Sequence, residues 1–237
     1  MNGMRRYRAG LRLRRVLSCI ALAASVLLLT PIERDADAGT SGWVVVDREQ
    51  GISVSQRDEP NRQFPTFKGV GNVKASIYDV LAVILDTDSH TQWIHDCKGA
   101  EKLATLRDHE IIVYSRTDAP WPFKDRDVVL KGTLKIVTPG KQIIAKFRVT
   151  DDSLKPRVPD VIRMPHLSGH WKLTQLKNGT QVEYKVNADP AGKLWAWLVE
   201  RTARNIPMYT IVGLRRQVAK TKGKYDAEIK TYKARGY

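Results

Sequence analysis

"DAPWPFKDRDVV", residues 118–129, joins two runs that alternate like β-strands, yet it places two prolines, a tryptophan and a phenylalanine in the connection. Proline cannot donate to a strand ladder, so the stretch through Pro122 reads as a loop and strand character resumes near Asp127. Upstream lies "HEIIVYSRT" (109–117). Downstream, "DVVLKGTLKIV" (127–137) puts Val128, Leu130, Leu134 and Ile136 on one face and Lys131, Thr133 and Lys135 on the other. Rings at such a position either cap the end of a core or close something hollow.

Working outward, "QIIAKFRVT" (142–150) sets Ile143, Ala145, Phe147 and Val149 opposite Lys146 and Arg148. "TPGK" (138–141) fits a Pro-Gly turn before it. "GHWKLTQL" (169–176) and "TQVEYKVN" (180–187) follow, with Asn178-Gly179 as a two-residue hairpin, so the sequon at 178–180 reads as a turn and not as a glycan site. These five segments predict a half-buried antiparallel meander. Before them come "WVVVD" (43–47), "ISVSQRD" (52–58) joined through Gly51, and "FPTFKGVGNV" (64–73) with Pro65 at its edge. Ser76 is the expected N-cap of a helix carrying Ile77, Val80, Leu81, Ile84 and Leu85, which runs into a short second helix near Trp93.

The last element predicted is a long helix from about Ala191 to beyond Lys220. At 100° per residue, Leu194, Trp195, Leu198, Val199, Ile206, Tyr209 and Val212 gather on one side. Glu200, Arg201, Arg204 and Arg215 gather on the other, joined by Trp197 and Met208. Pro207 should kink it. Thr202 and Asn205 fall within the apolar side, where a polar group bonds a nearby backbone carbonyl or meets a ligand.

The remaining features set the context. The 237 residues, 42% hydrophobic and 27% charged, suit one globular domain with appendages. Six arginines between Arg5 and Arg15 precede the apolar run Val16–Leu29, then Pro31 and small residues at Ala36 and Ala38. That is the pattern of a secretory signal peptide, residues 1–38, cut before Gly39, with residues 39–237 as the mature domain. The run is shorter than the roughly 20 residues of a bilayer span, which weighs against the alternative of an uncleaved anchor. The chain holds 40 Lys+Arg and 25 Asp+Glu; seven and three of these lie in residues 1–38, leaving 33 against 22. Residues 191–237 alone carry eleven against three, so the excess is concentrated at the C-terminal helix. For an exported protein, periplasmic or extracellular, this points to anionic lipid or an acidic partner and not to nucleic acid. Only Cys97 remains after Cys19 leaves with the signal, so no internal disulfide forms.

The order of strands, helices, meander and long helix describes an α+β protein in which a wide twisted sheet folds around one helix and leaves an interior hollow suited to an apolar ligand. "WPFKDRDVV" (121–129), "DPAGKLWAWLVERTARNIPMYTIVGLRR" (189–216) and "DTDSHTQWIHD" (86–96) together resemble the START domain family of lipid transfer proteins, over about residues 43–225. The resemblance implies the helix-grip fold, in an exported bacterial member that takes up one lipid in an internal cavity and carries it between membranes, as a monomer without cofactor, metal or catalysis. It also implies that the loop Ala119–Asp125 lies over the cavity beside the C-terminal helix, with Trp121 and Phe123 as a lid. Trp93, Leu198, Thr202, Asn205 and Tyr209 are then the expected ligand-binding residues. Trp121, Phe123, Lys124, Trp197, Arg201 and Arg204 are the expected lid and membrane contacts, and Arg126 with Asp127 would be a charge pair at the loop base. Some relatives set an acidic and a basic side chain against a sterol hydroxyl. Gly132 stands about where the basic one would fall, so a phospholipid, a fatty acid or an isoprenoid stays open beside a sterol.

Two other classes are set beside this one. A helix-grip enzyme of the polyketide cyclase or aromatase type would need an acid or base in the cavity, from His90, His95, His109, His166 or His170. An adaptor would use the basic C-terminal face alone. Asp86, Asp88 and His90 look superficially like a metal cluster, but short polar residues between helices are commonly caps.

Overall fold

The structure, a computed structural model, describes residues 42–237 apart from 108, 152 and 193–195, and for 196–203 it describes the backbone alone. The expected signal peptide, 1–38, lies outside the described residues.

Ten strands form one sheet: β1 Val44–Glu49, β2 Ile52–Arg57, β3 Thr66–Val73, β4 Cys97–Arg107, β5 Glu110–Thr117, β6 Asp125–Thr138, β7 Gln142–Val149, β8 Val161–Arg163, β9 His166–Leu176 and β10 Gly179–Asp189. Nine follow the antiparallel order β1-β2-β3-β10-β9-β7-β6-β5-β4, and β8 adds parallel to β6. The hairpin between β9 and β10 turns at Lys177-Asn178, one residue earlier than expected, because Gly179, with φ of 135°, already pairs with Leu176.

Three elements escaped the sequence reading. β4 lacks alternation because it is an edge strand whose register against β5 slips at Cys97/Gly99, Lys102/Ala104 and Thr105/Arg107. β8 is only three residues long. A third helix, α3 Asp226–Ala234, follows the long one and buries none of its residues fully.

The helix α1, Ile77–Leu85, starts where Ser76 predicts. The Ser76 hydroxyl accepts from the Asp79 backbone N–H at 3.2 Å and the Asp79 carboxylate accepts from the Ser76 N–H at 3.2 Å, a reciprocal cap. A 3-10 turn, Thr87–Gln92, follows it. Asp86 does not cap either element through its side chain. It accepts instead from the Tyr225 hydroxyl at 2.6 Å and the Lys224 ammonium at 2.9 Å, tying the end of α1 to the connection before α3.

The core lies between the inner face of the sheet and the helices. Ile143, Leu173, Val182 and Phe67 from the strands meet Leu81 and Val83 of α1 and Met208, Ile211 and Leu214 of the long helix α2, Ala196–Lys220. α2 settles close upon β3 because Gly69 and Gly71 present no side chain: a Cβ on Gly69 would stand 2.8 Å from Pro207 Cβ.

Beyond Pro207 the helix faces differ from those expected. Met208, assigned to the outer side, is fully buried, and Tyr209, assigned to the apolar side, is 40% exposed. The reason is that α2 is held on two sides. Ile211 packs toward β3, while Thr210, Gly213 and Gln217 meet residues 92–95: the His95 N–H donates to Thr210 Oγ1 at 3.2 Å and the Gln217 amide to Gln92 Oε1 at 3.3 Å. That second face is built from small and polar groups, so summing large apolar residues turned the helix the wrong way. Arg215 is likewise no free surface charge. It donates to the Asn72 and Gln50 carbonyls at 2.8 and 2.7 Å, locking α2 to β3 and the β1-β2 turn.

Candidate functional site

The loop quoted first returns as a tip on a rigid base. Trp121 stands in solvent, 93% exposed, and so does not cover the core in this conformation. Phe123 beside it is half-buried, and Lys124 pairs with Asp160 at 3.0 Å. Below the tip everything is buried and tied. Asp125 accepts from Arg116 at 2.8 Å and pairs with Lys98 at 3.2 Å; burial works against its charge, but these bonds hold its pKa below the usual carboxylate value. Arg126 and Asp127 are both buried, yet they do not pair with each other as expected, because successive strand residues point to opposite faces. Arg126 donates to the Pro190 carbonyl at 3.2 Å and the Ala191 carbonyl at 3.4 Å, clamping the loop base to the segment that leads into α2. Asp127 takes a bidentate bond from Arg163 of β8 at 2.7 and 3.1 Å. The Tyr114 hydroxyl beside it is pushed up to about 12 by burial and by the Asp127 charge.

On the inner side of the sheet lies an aromatic cluster. Trp171 of β9 and Tyr184 of β10 stack at 4.0 Å between ring centroids, Trp93 meets Trp171 at 5.8 Å, and Phe147 of β7 approaches Tyr184 at 6.1 Å. Burial pushes the Tyr184 phenol far above its usual pKa, so it stays neutral. Trp93 is buried, and its indole N–H finds no partner among the described residues. An unmet donor of this kind is unusual and costs about 1–3 kcal/mol unless something accepts from it.

Of the expected ligand residues, the structure thus brings Trp93 to the interior, leaves Asn205 half-buried, and sets Tyr209 outward in a shallow recess against the His95 ring at 5.0 Å. The side chains of Leu198, Thr202, Trp197 and Arg201 lie outside the described residues; Arg204 is exposed. Trp171 and Tyr184 were not singled out from the sequence, although the alternation of their strands already sends both to the inner face.

The candidate histidines each contact a neighbouring group, and His90 packs edge-on against Trp93 at 5.5 Å between ring centroids. His90 bonds the Ile84 carbonyl at 2.9 Å, and burial lowers its pKa. His109 lies against the Tyr237 ring. His166 and His170 do share a face, since both sit on β9 an even number of residues apart, but it is the outer face, where His170 bonds Glu183 at 2.8 Å. Burial raises the Cys97 thiol, which makes it a poor nucleophile. Among the described residues no group of three His, Cys, Asp or Glu side chains could hold a metal ion.

The START domain matches residues 28–222. The chain belongs to the START domain family. An uncharacterised protein of Pseudomonas aeruginosa is 29% identical to this START domain over 204 residues, covering 86% of the chain and 97% of that protein. Among solved structures, a STAR-related lipid transfer protein fragment from Xanthomonas axonopodis is 29% identical with a TM-score of 0.69, over 75% of this chain and 99% of that one. Human StAR-related lipid transfer protein 5 shares the fold at 19% identity with a TM-score of 0.71, over 77% of this chain and 89% of that one. The α+β helix-grip fold expected from the sequence is the fold observed.

Proposed function

We propose that this START domain binds one lipid between the inner face of the sheet and α2 and transfers it between membranes without chemistry, after export and removal of residues 1–38. The observation that supports it best is Trp93: a buried N–H donor with no partner among the described residues, at the end of a run of rings that begins with Trp171, is suited to the oxygen of a largely apolar molecule. Thr202 and Asn205 are its proposed helpers from α2, with Leu198 as an apolar neighbour. The loop 119–125 is the gate, and its base, clamped by Arg126 to the approach of α2, makes loop and helix move together. Trp121 is the proposed membrane contact, since a fully exposed indole at a loop tip gains by entering the headgroup region. Arg204, and Arg201 and Trp197 at helical spacing from it in the sequence, are the further proposed contacts, each cation adding about 1 kcal/mol on an anionic surface.

Native mass spectrometry of protein purified without detergent, followed by lipid extraction, tests the binding. One lipid per chain is expected, and Trp93→Phe should weaken or change it while the thermal midpoint moves by only a few degrees. In a vesicle assay Trp121→Ala with Phe123→Ala should slow transfer with the bound lipid retained. A chain that is empty and transfers nothing would overturn the proposal.

A further inference from the structure

The outer face of the sheet, turned away from the proposed lipid site, carries a groove of about 860 Å³. It runs across β2, β3, β10, β9, β7 and β6, and its lining has seven Lys and Arg against two Glu. Two of these cations are already neutralised, Arg57 by Glu59 at 2.7 Å and Lys131 by Glu110 at 3.1 Å. Lys146, Arg148, Lys172 and Lys185 make no ion pair or hydrogen bond among the described residues.

The register makes this arrangement costly. Lys146 of β7 stands opposite His170 of β9, which stands opposite Lys185 of β10, which stands opposite Lys68 of β3. One step along, Lys131 faces Arg148. Like charges directly opposite on neighbouring strands destabilise a sheet. Glu183 bonds the His170 ring at 2.8 Å and its charge also reaches Lys68 and Lys172, but one carboxylate stands among several cations. Nothing about the core requires these positions to be basic, since all point away from it.

We propose that this groove binds an extended acidic polypeptide segment of a partner protein. Lys185, Lys172, Lys146 and Arg148 stand on the three adjacent strands β10, β9 and β7, about 10 Å across at about 4.8 Å spacing, within a groove that continues over six strands, about 24 Å or the reach of about seven extended residues. Among the cations the Thr133 hydroxyl is a neutral group that suits a peptide amide, while Gln142, Ser168 and Asn187 already bond Thr174, His166 and the Phe64 carbonyl. A membrane is the poorer occupant: the groove is recessed, and none of the exposed large apolar side chains, Trp121 and Tyr209 included, lines it.

A fluorescent nine-residue peptide rich in Glu, titrated at low ionic strength by anisotropy, tests this with the mature protein. Saturable binding is expected, weakened at least tenfold by Lys146→Gln with Lys185→Gln and fading with added salt. The same variant should keep or raise the thermal midpoint, because like charges are removed, and should associate with anionic vesicles as the unmodified protein does. Arg148→Gln with Lys172→Gln gives an independent second pair. Absence of binding, equal binding by both variants, loss of vesicle association in them, or tighter binding of duplex DNA than of the peptide would each overturn the proposal. None of these readings depends on whether a lipid is bound inside.

Discussion

Asp127 and Arg163 are nearly inaccessible, and their bidentate bond joins β6 to β8 below the loop. Removing one partner leaves a buried charge alone, so Asp127→Ala should lower stability by about 3–5 kcal/mol in urea denaturation at neutral pH. Replacing both partners by apolar residues of similar size should recover most of that. Asp86 offers a pH-dependent counterpart. Burial disfavours its charge, but the bonds from Tyr225 and Lys224 outweigh it and hold its pKa below the usual value. A carboxylate depressed in the folded state binds protons more readily once unfolded, so its contribution is present at neutral pH and lost as pH falls below about 4. Asp86→Asn should therefore cost about 1–2 kcal/mol at pH 7, with the difference closing in acid, as followed by thermal midpoints across pH.

The contact of α2 with residues 92–95 is the element most exposed to a single methyl group. A Cβ on Gly213 would lie 2.0 Å from the Trp93 carbonyl oxygen. Gly213→Ala should therefore destabilise by about 1–3 kcal/mol, although alanine is the better helix former by about 1 kcal/mol. A stabilised variant would show the contact to be loose. The same contact explains what the sequence could and could not disclose. Strands with one buried face, such as β7 with Ile143, Ala145 and Phe147 inward, announce themselves by alternation. Ser76 announces α1 by its cap. The family was legible because 86–96, the 121–129 loop and the 189–216 stretch occur together. A helix gripped on two sides has no single apolar stripe, so Tyr209 was misplaced and the roles of Thr210, Gly213 and Gln217 went unread. The Pro190, Ala191 and Arg163 partners of Arg126 and Asp127 come from segments 36 to 65 residues away, a distance over which local pattern carries nothing.

For the whole molecule, the proposed export predicts that the protein from an extracytoplasmic fraction has the intact mass of a chain beginning at Gly39; a retained leader would make it a tethered domain instead. Charge predicts how the proposed membrane encounter responds to lipid and salt. Transfer should be faster to anionic than to neutral vesicles at low salt, the preference should fall as salt rises, and Arg201→Glu with Arg204→Glu should abolish it. Equal rates to both vesicle types would leave the basic helix as a solvated surface. The two borders of the sheet bear on a different property. β1 and β4 each end the hydrogen-bonded order, and both are kinked, β1 between Val45 and Asp47 and β4 at three places. An open strand is a template on which a neighbouring molecule can polymerise, and a kinked one offers no straight run of amides to copy. The irregularity that hid β4 from pattern reading thus works against edge-to-edge pairing at that border, and regularising β4 by deleting its extra residues should produce aggregates that scatter light without first losing native structure.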